Sequence, residues 1–111
     1  MTIYLIQLEV IPDIDNPEKE ECVGAIVNCW VKSISMKLAL NRAKNYLSNQ
    51  DWKVISIEEQ FITSRDMYIG ETEEDDELLE CFDEAMRDGI SAIFYIFSEE
   101  HDEEDEIETM D

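Results

Sequence analysis

Residues 75–97 read DDELLECFDEAMRDGISAIFYIF, and the change of period within this stretch decides the fold. In its first half Leu78, Leu79, Phe82, Ala85 and Met86 recur at i, i+1, i+4, i+7 and i+8, one stripe of a 3.6-residue period. Glu77, Glu80, Asp83, Glu84 and Arg87 hold the opposite side. Asp75, Asp76 and Glu77 stand where the free N–H groups and positive pole of a helix favour negative charge, and Arg87 stands where a cation is preferred. Gly89 can adopt the left-handed conformation that closes a helix. Beyond it both parities are apolar, with Ala92, Phe94 and Ile96 on one face and Ile93, Tyr95 and Phe97 on the other. That pattern predicts a central strand covered on both sides.

Working outward, residues 3–10 place Tyr4, Ile6, Leu8 and Val10 on one face and Gln7 and Glu9 on the other, predicting a first strand near an edge with one face in water. Pro12 ends it, and residues 13–21 form an acidic loop. Residues 22–32 give a second strand, hairpin-paired with the first, with Val23, Ala25, Val27, Cys29 and Val31 on one face and Gly24, Ile26, Asn28 and Trp30 on the other. Ser33 or Ser35 caps a helix that turns Met36, Ala39, Leu40, Ala43 and Leu47 inward and carries Lys37, Arg42 and Lys44 outside. Residues 52–63 read as a third strand opened by Trp52, a core plug, and Met67, Tyr68 and Ile69 as a short fourth before Gly70.

From Cys22 onward this order of elements resembles the βαββαβ plait of ferredoxin-like domains. The resemblance implies one α+β domain over residues 1–97: an antiparallel sheet with two helices on one face and residues 3–10 as an extra N-terminal strand. It concerns the fold only, because no cluster-binding cysteines are present. Residues 98–111 contain nine acids and read as an acidic disordered tail.

Charge is the sharpest property of the sequence. The net charge is -21 over 111 residues, and it is unevenly placed. Residues 1–65 hold nine acids against seven bases, whereas residues 66–111 hold twenty acids against Arg87 alone. Such a field repels nucleic-acid phosphates and anionic lipid headgroups and attracts a basic protein. Cys22, Cys29 and Cys81 match no CxxC or zinc spacing, and an odd number argues against a disulfide framework, so reduced thiols and a cytoplasmic location are expected. No signal peptide and no apolar run of about 20 residues is visible.

The chemistry-bearing residues do not assemble into a catalytic pattern. His101, the sole histidine, stands among Glu99, Glu100, Asp102 and Glu103, with nothing to hold it in register. Gly24, Gly70 and Gly89 belong to no phosphate-binding loop. Asp13 and Asp15 open an EF-hand-like spacing that Pro17 and Glu18 break. Glu58 and Glu59, adjacent in a strand, point to opposite faces. The runs 71–77 and 102–106 read as hydrated charge with diffuse counterions, so neither metal nor cofactor is expected.

Two surfaces remain as candidates. The acidic one comprises Glu73, Glu74, Asp76, Glu77, Glu80, Asp83 and Glu84. The other is aromatic: with the strand phases above, Trp30, Tyr95 and Phe97 share the sheet face away from the helices. Ordinary packing, the tail or the loop of residues 13–21 would cover that face, or it forms a homodimer seam or a partner's landing site. The function expected is therefore a non-catalytic acidic protein that binds a basic protein partner, in the manner of an immunity protein or a nucleic-acid-mimicking inhibitor. The alternatives are a small-molecule-binding or regulatory domain that dimerises through the open sheet face and, last, an enzyme working with carboxylates alone.

Overall fold

Covering both faces of one strand organises the molecule. The computed structural model describes residues 1–17, 19, 22–68 and 72–98. They form β1 (Thr2–Pro12), β2 (Cys22–Ser33), α1 (Met36–Ser48), β3 (Trp52–Thr63), a 3-10 helix (Arg65–Tyr68), α2 (Glu73–Asp88) and β4 (Ile90–Ser98). The four strands make one antiparallel sheet in the order β3-β1-β2-β4, so the chain is α+β with an open sheet and two helices. The expected hairpin is present: Tyr4 pairs with Val31, Ile6 with Cys29 and Leu8 with Val27.

On one face of the sheet Ile6, Leu8, Val10, Val27, Cys29 and Val31 are fully buried under Ala39, Ala43 and Leu47 of α1. Of the two serines expected to cap this helix, Ser35 does so, its Oγ accepting from the Leu38 N–H at 3.2 Å. Trp52 packs into the same layer as a core plug, its ring 5.5 Å from that of Phe94. Asp51, at a left-handed φ of 65°, turns the chain into β3, a conformation that a short polar side chain tolerates.

Residues of the other parity build a second core. Ile3, Leu5, Trp30 and Ile93 pack against Leu78, Leu79, Phe82 and Ala85 of α2 and against Tyr68. Thr72 caps α2 by accepting from the Asp75 N–H at 3.1 Å, and Gly89 closes it at φ 97° as the sequence predicts. Trp30, wholly buried, donates its indole N–H to the Tyr68 hydroxyl at 3.0 Å, and that hydroxyl lies 2.6 Å from Thr63 Oγ1.

These contacts change four expectations. Neighbouring residues of a strand point to opposite faces, so α1 over Tyr4 and Ile6 and α2 over Ile3 and Leu5 lie on opposite sides of the sheet, not together on one. The first strand is no addition at an edge: β1 lies inside the sheet between β2 and β3, and its polar side chains find partners there. Gln7 donates to Asn28 Oδ1 at 3.0 Å, and Glu9 accepts from Ser56. The apolar last strand is an edge and not a centre, covered through Ile93 but exposed at Tyr95, Ile96 and Phe97. Met67 and Tyr68 belong to the 3-10 helix and not to a strand, because Tyr68 is drawn inward to Trp30 and Phe82. Ile69 and the expected tail, apart from Ser98, lie outside the described residues.

Tyr68→Phe would leave the Trp30 N–H buried with no acceptor while preserving the ring packing. It should destabilise the fold by about 1–3 kcal/mol, read as a lower urea midpoint at unchanged slope.

Candidate functional site: the acidic outer face of α2 and the end of β4

Because Leu78, Phe82 and Ala85 face the sheet, the helical period turns the carboxylates of α2 outward. Glu73, Glu74, Asp76, Glu77, Glu80 and Glu84 are exposed, and Asp83 is half-buried. Their surroundings divide them. Asp83 pairs with Arg65 at 3.1 Å, a contact that raises the Arg65 pKa through the hydrogen bond and the charge of Asp83. Glu84 stands 4.0 Å from Arg87, which is itself held by Asp88 at 3.1 Å. Among the described residues, Glu73, Glu74, Asp76, Glu77 and Glu80 form no ion pair. The outward row is therefore a largely uncompensated negative surface. Asp76, Glu80, Asp83 and Glu84, with Leu79 and Arg87, also rim a shallow depression of about 280 Å³.

One flank of α2 meets β4. Cys81 hydrogen-bonds Ser91, and Tyr95 lies close enough to Glu77 and Glu74 that their charges add to partial burial in raising its phenol pKa. The acidic and aromatic candidates thus become neighbours at this corner. Trp30 is not among them: it is 0% exposed beneath α2, which occupies the face expected to be open. Tyr95 and Phe97, 45% and 40% exposed, lie beyond the cover of the helix. Ile96, assigned from its parity to a covered face, is 49% exposed, and Val23 of β2 is 45% exposed. Val23 is the extra residue where the β2–β4 register shifts between Cys22 and Gly24. A signal for this patch does exist in the sequence, in an apolar strand followed, after Ser98, by consecutive acids.

A groove of about 430 Å³ opens elsewhere, between α1 and β3, with Trp52, Val54 and Ile57 on one side and Lys44, Asn45 and Ser48 on the other. Glu58 and Glu59, set aside as a catalytic pair, do not come together. Glu59 pairs with Gln7, whereas Glu58 is the extra residue at a register shift and accepts from Ser56. Among the described residues, no three His, Cys, Asp or Glu side chains converge to hold a metal ion, and no helix is long and apolar enough to cross a membrane. His101 and the run 102–106 lie outside the described residues. No family model matches the chain, and no curated protein or solved structure shows significant similarity to it.

The thiols occupy distinct environments. Burial pushes Cys29 up to about 12. Cys81 is also raised, by burial first and then by the charges of Glu84, Glu77 and Glu80, against an opposing hydrogen bond with Ser91. Less thiolate at a given pH means slower attack on a disulfide reagent. In the native protein at pH 8, Cys29 should not react with a dithiobis reagent and Cys81 should react more slowly than free glutathione, all three thiols becoming reactive in guanidinium.

The crowded carboxylates of α2 also predict a response to salt. Adding NaCl from low ionic strength should raise the urea midpoint, because screening relieves their mutual repulsion. The double change Glu77→Gln/Glu80→Gln, beyond the first turn of the helix, should give part of the same gain without salt, and its effect should shrink at high salt. A midpoint that stays flat across the salt series would contradict this account.

Proposed function

We propose that this chain is a non-catalytic acidic interaction protein that binds a basic protein partner through the outer face of α2, as an immunity-like or nucleic-acid-mimicking inhibitor would. One observation carries the reading: a row of exposed carboxylates, most without a basic counterpart among the described residues, adjoins exposed aromatic and aliphatic side chains at the end of β4. The carboxylates point away from the core, on the outer side of a helix, an arrangement suited to surface recognition more than to catalysis. Negative potential of this density steers a basic protein into encounter, and apolar contact at the rim lengthens the life of the complex. The same potential disfavours nucleic acid and anionic membrane as direct partners. The partner would be met in a reducing cytoplasm, where thiols such as those of Cys29 and Cys81 are stable.

A second reading, a small-molecule-binding regulatory domain, draws on the groove between α1 and β3, where Trp52 and Ile57 face Lys44. A homodimer through the sheet face that carries Trp30 is less well supported, because α2 occupies much of that face and each copy brings a charge of -21.

Affinity capture from native cytosol with the full chain tests the first reading. At low ionic strength the chain should retain a protein of high pI that is released as NaCl rises, and the variant Glu74→Gln/Glu77→Gln/Glu80→Gln should retain at least about tenfold less. Recovery of no basic protein at low salt, or equal recovery by the variant, would overturn it.

A further inference from the structure

The two free edges of the sheet are built differently. β3 carries two register shifts against β1, at Gln7/Leu8 and at Glu9/Val10, and exposes Lys53, Glu58 and Glu59. Bulges and charges of this kind keep an edge from accepting another strand. β4 has neither protection. Its register with β2 runs without a shift from Ile90 paired with Val31 to Phe97 paired with Gly24, and residues 90–97 contain no charge and no proline. Among the described residues, nothing pairs with its outer side. An edge strand leaves alternate backbone N–H and C=O groups unpaired, and here they lie along a strand whose Tyr95, Ile96 and Phe97 are 40–49% exposed.

We propose that β4 is an acceptor edge, and that the basic partner docks by adding an extended, alternately basic and apolar segment as a fifth strand beside it. This rests on the acidic-partner reading above and specifies how that partner binds. Charge selects the occupant. Glu74 and Glu77 line the flank of α2 that faces β4, and their charges already reach Tyr95. A second copy would bring another -21, and residues 99–111 would bring nine carboxylates with no Lys or Arg. Both are repelled from this corner, whereas a basic strand is attracted. Alternation follows from the pleat. Side chains of the added strand on the α2 side meet Tyr95, Phe97 and the glutamates, where Lys or Arg gains both charge and ring contacts, and those on the other side meet Ile96. Backbone pairing would supply affinity, and the alternation specificity.

The test uses the full chain and three synthetic probes of equal charge: an alternating Lys-Val peptide, the same peptide N-methylated along its length, and an oligolysine. At low ionic strength the Lys-Val peptide should bind at least about tenfold tighter than the other two, since N-methylation removes the donors an added strand needs. It alone should slow hydrogen exchange of alternate amides within residues 92–97. Glu74→Gln/Glu77→Gln should weaken all three. If the three probes bind equally and no β4 amide is slowed, the strand-addition mode is overturned while the acidic-surface reading stands. If none binds at low salt, both fall. Slow exchange of the outward β4 amides in the free chain would also overturn the proposal, with sedimentation separating a second copy from the chain's own C-terminal residues as the occupant.

Discussion

Trp30 lies in β2 with its indole N–H on Tyr68 and its ring under α2, while Val31 beside it lies under α1. That pair of neighbours states the constraint on which the structure depends. Apolar side chains of the two inner strands point to both faces of the sheet, Ile3, Leu5 and Trp30 to one and Tyr4, Ile6 and Val31 to the other, and either set left in water would cost the molecule much of its hydrophobic stabilisation. The two α-helices of the described residues meet this demand by lying one on each side. The Tyr68 hydroxyl, itself bonded to Thr63, lets the largest side chain of this core be buried without an orphaned donor.

Dividing the helices frees their outer surfaces, and these differ in charge. α1 carries Lys37, Arg42 and Lys44 outward, whereas α2 presents a row of carboxylates. Like charges one turn apart weaken an isolated helix, so α2 owes its existence to Phe82 and Ala85 in the core, to the Thr72 cap and to Gly89 at its end. Such crowding carries a cost in stability, and the proposed attraction of a basic partner would account for it. Local choices that oppose stability are expected where function is located.

The two sheet edges differ as the two helices do. At β3, bulges and charged side chains interrupt the ladder, and an adjoining groove is lined partly by polar residues of α1. At β4 a regular apolar strand ends in exposed Tyr95, Ile96 and Phe97, next to the glutamates of α2. The acidic and apolar features sit at one corner because α2 runs antiparallel to β4, which brings its first turns to the end of the strand.

The period and punctuation of the sequence determined the elements themselves: the hairpin of β1 and β2, the inward stripes of both helices apart from the exposed Met86, a serine cap on α1, the closure at Gly89 and the outward direction of the α2 carboxylates. Each depends on residues a few positions apart and on simple alternation, so each is legible locally. Only the tertiary structure decided which strands lie inside the sheet, which side each helix takes and which aromatic groups reach water. Trp30 and Tyr95 share a parity and differ in fate because α2 ends its cover between them. Tyr68 left the strand pattern for the same reason, drawn to an indole thirty-eight positions away. An apolar strand reads alike in the middle of a sheet or at its rim, since burial is set by neighbours distant in sequence, and no period records where they pack.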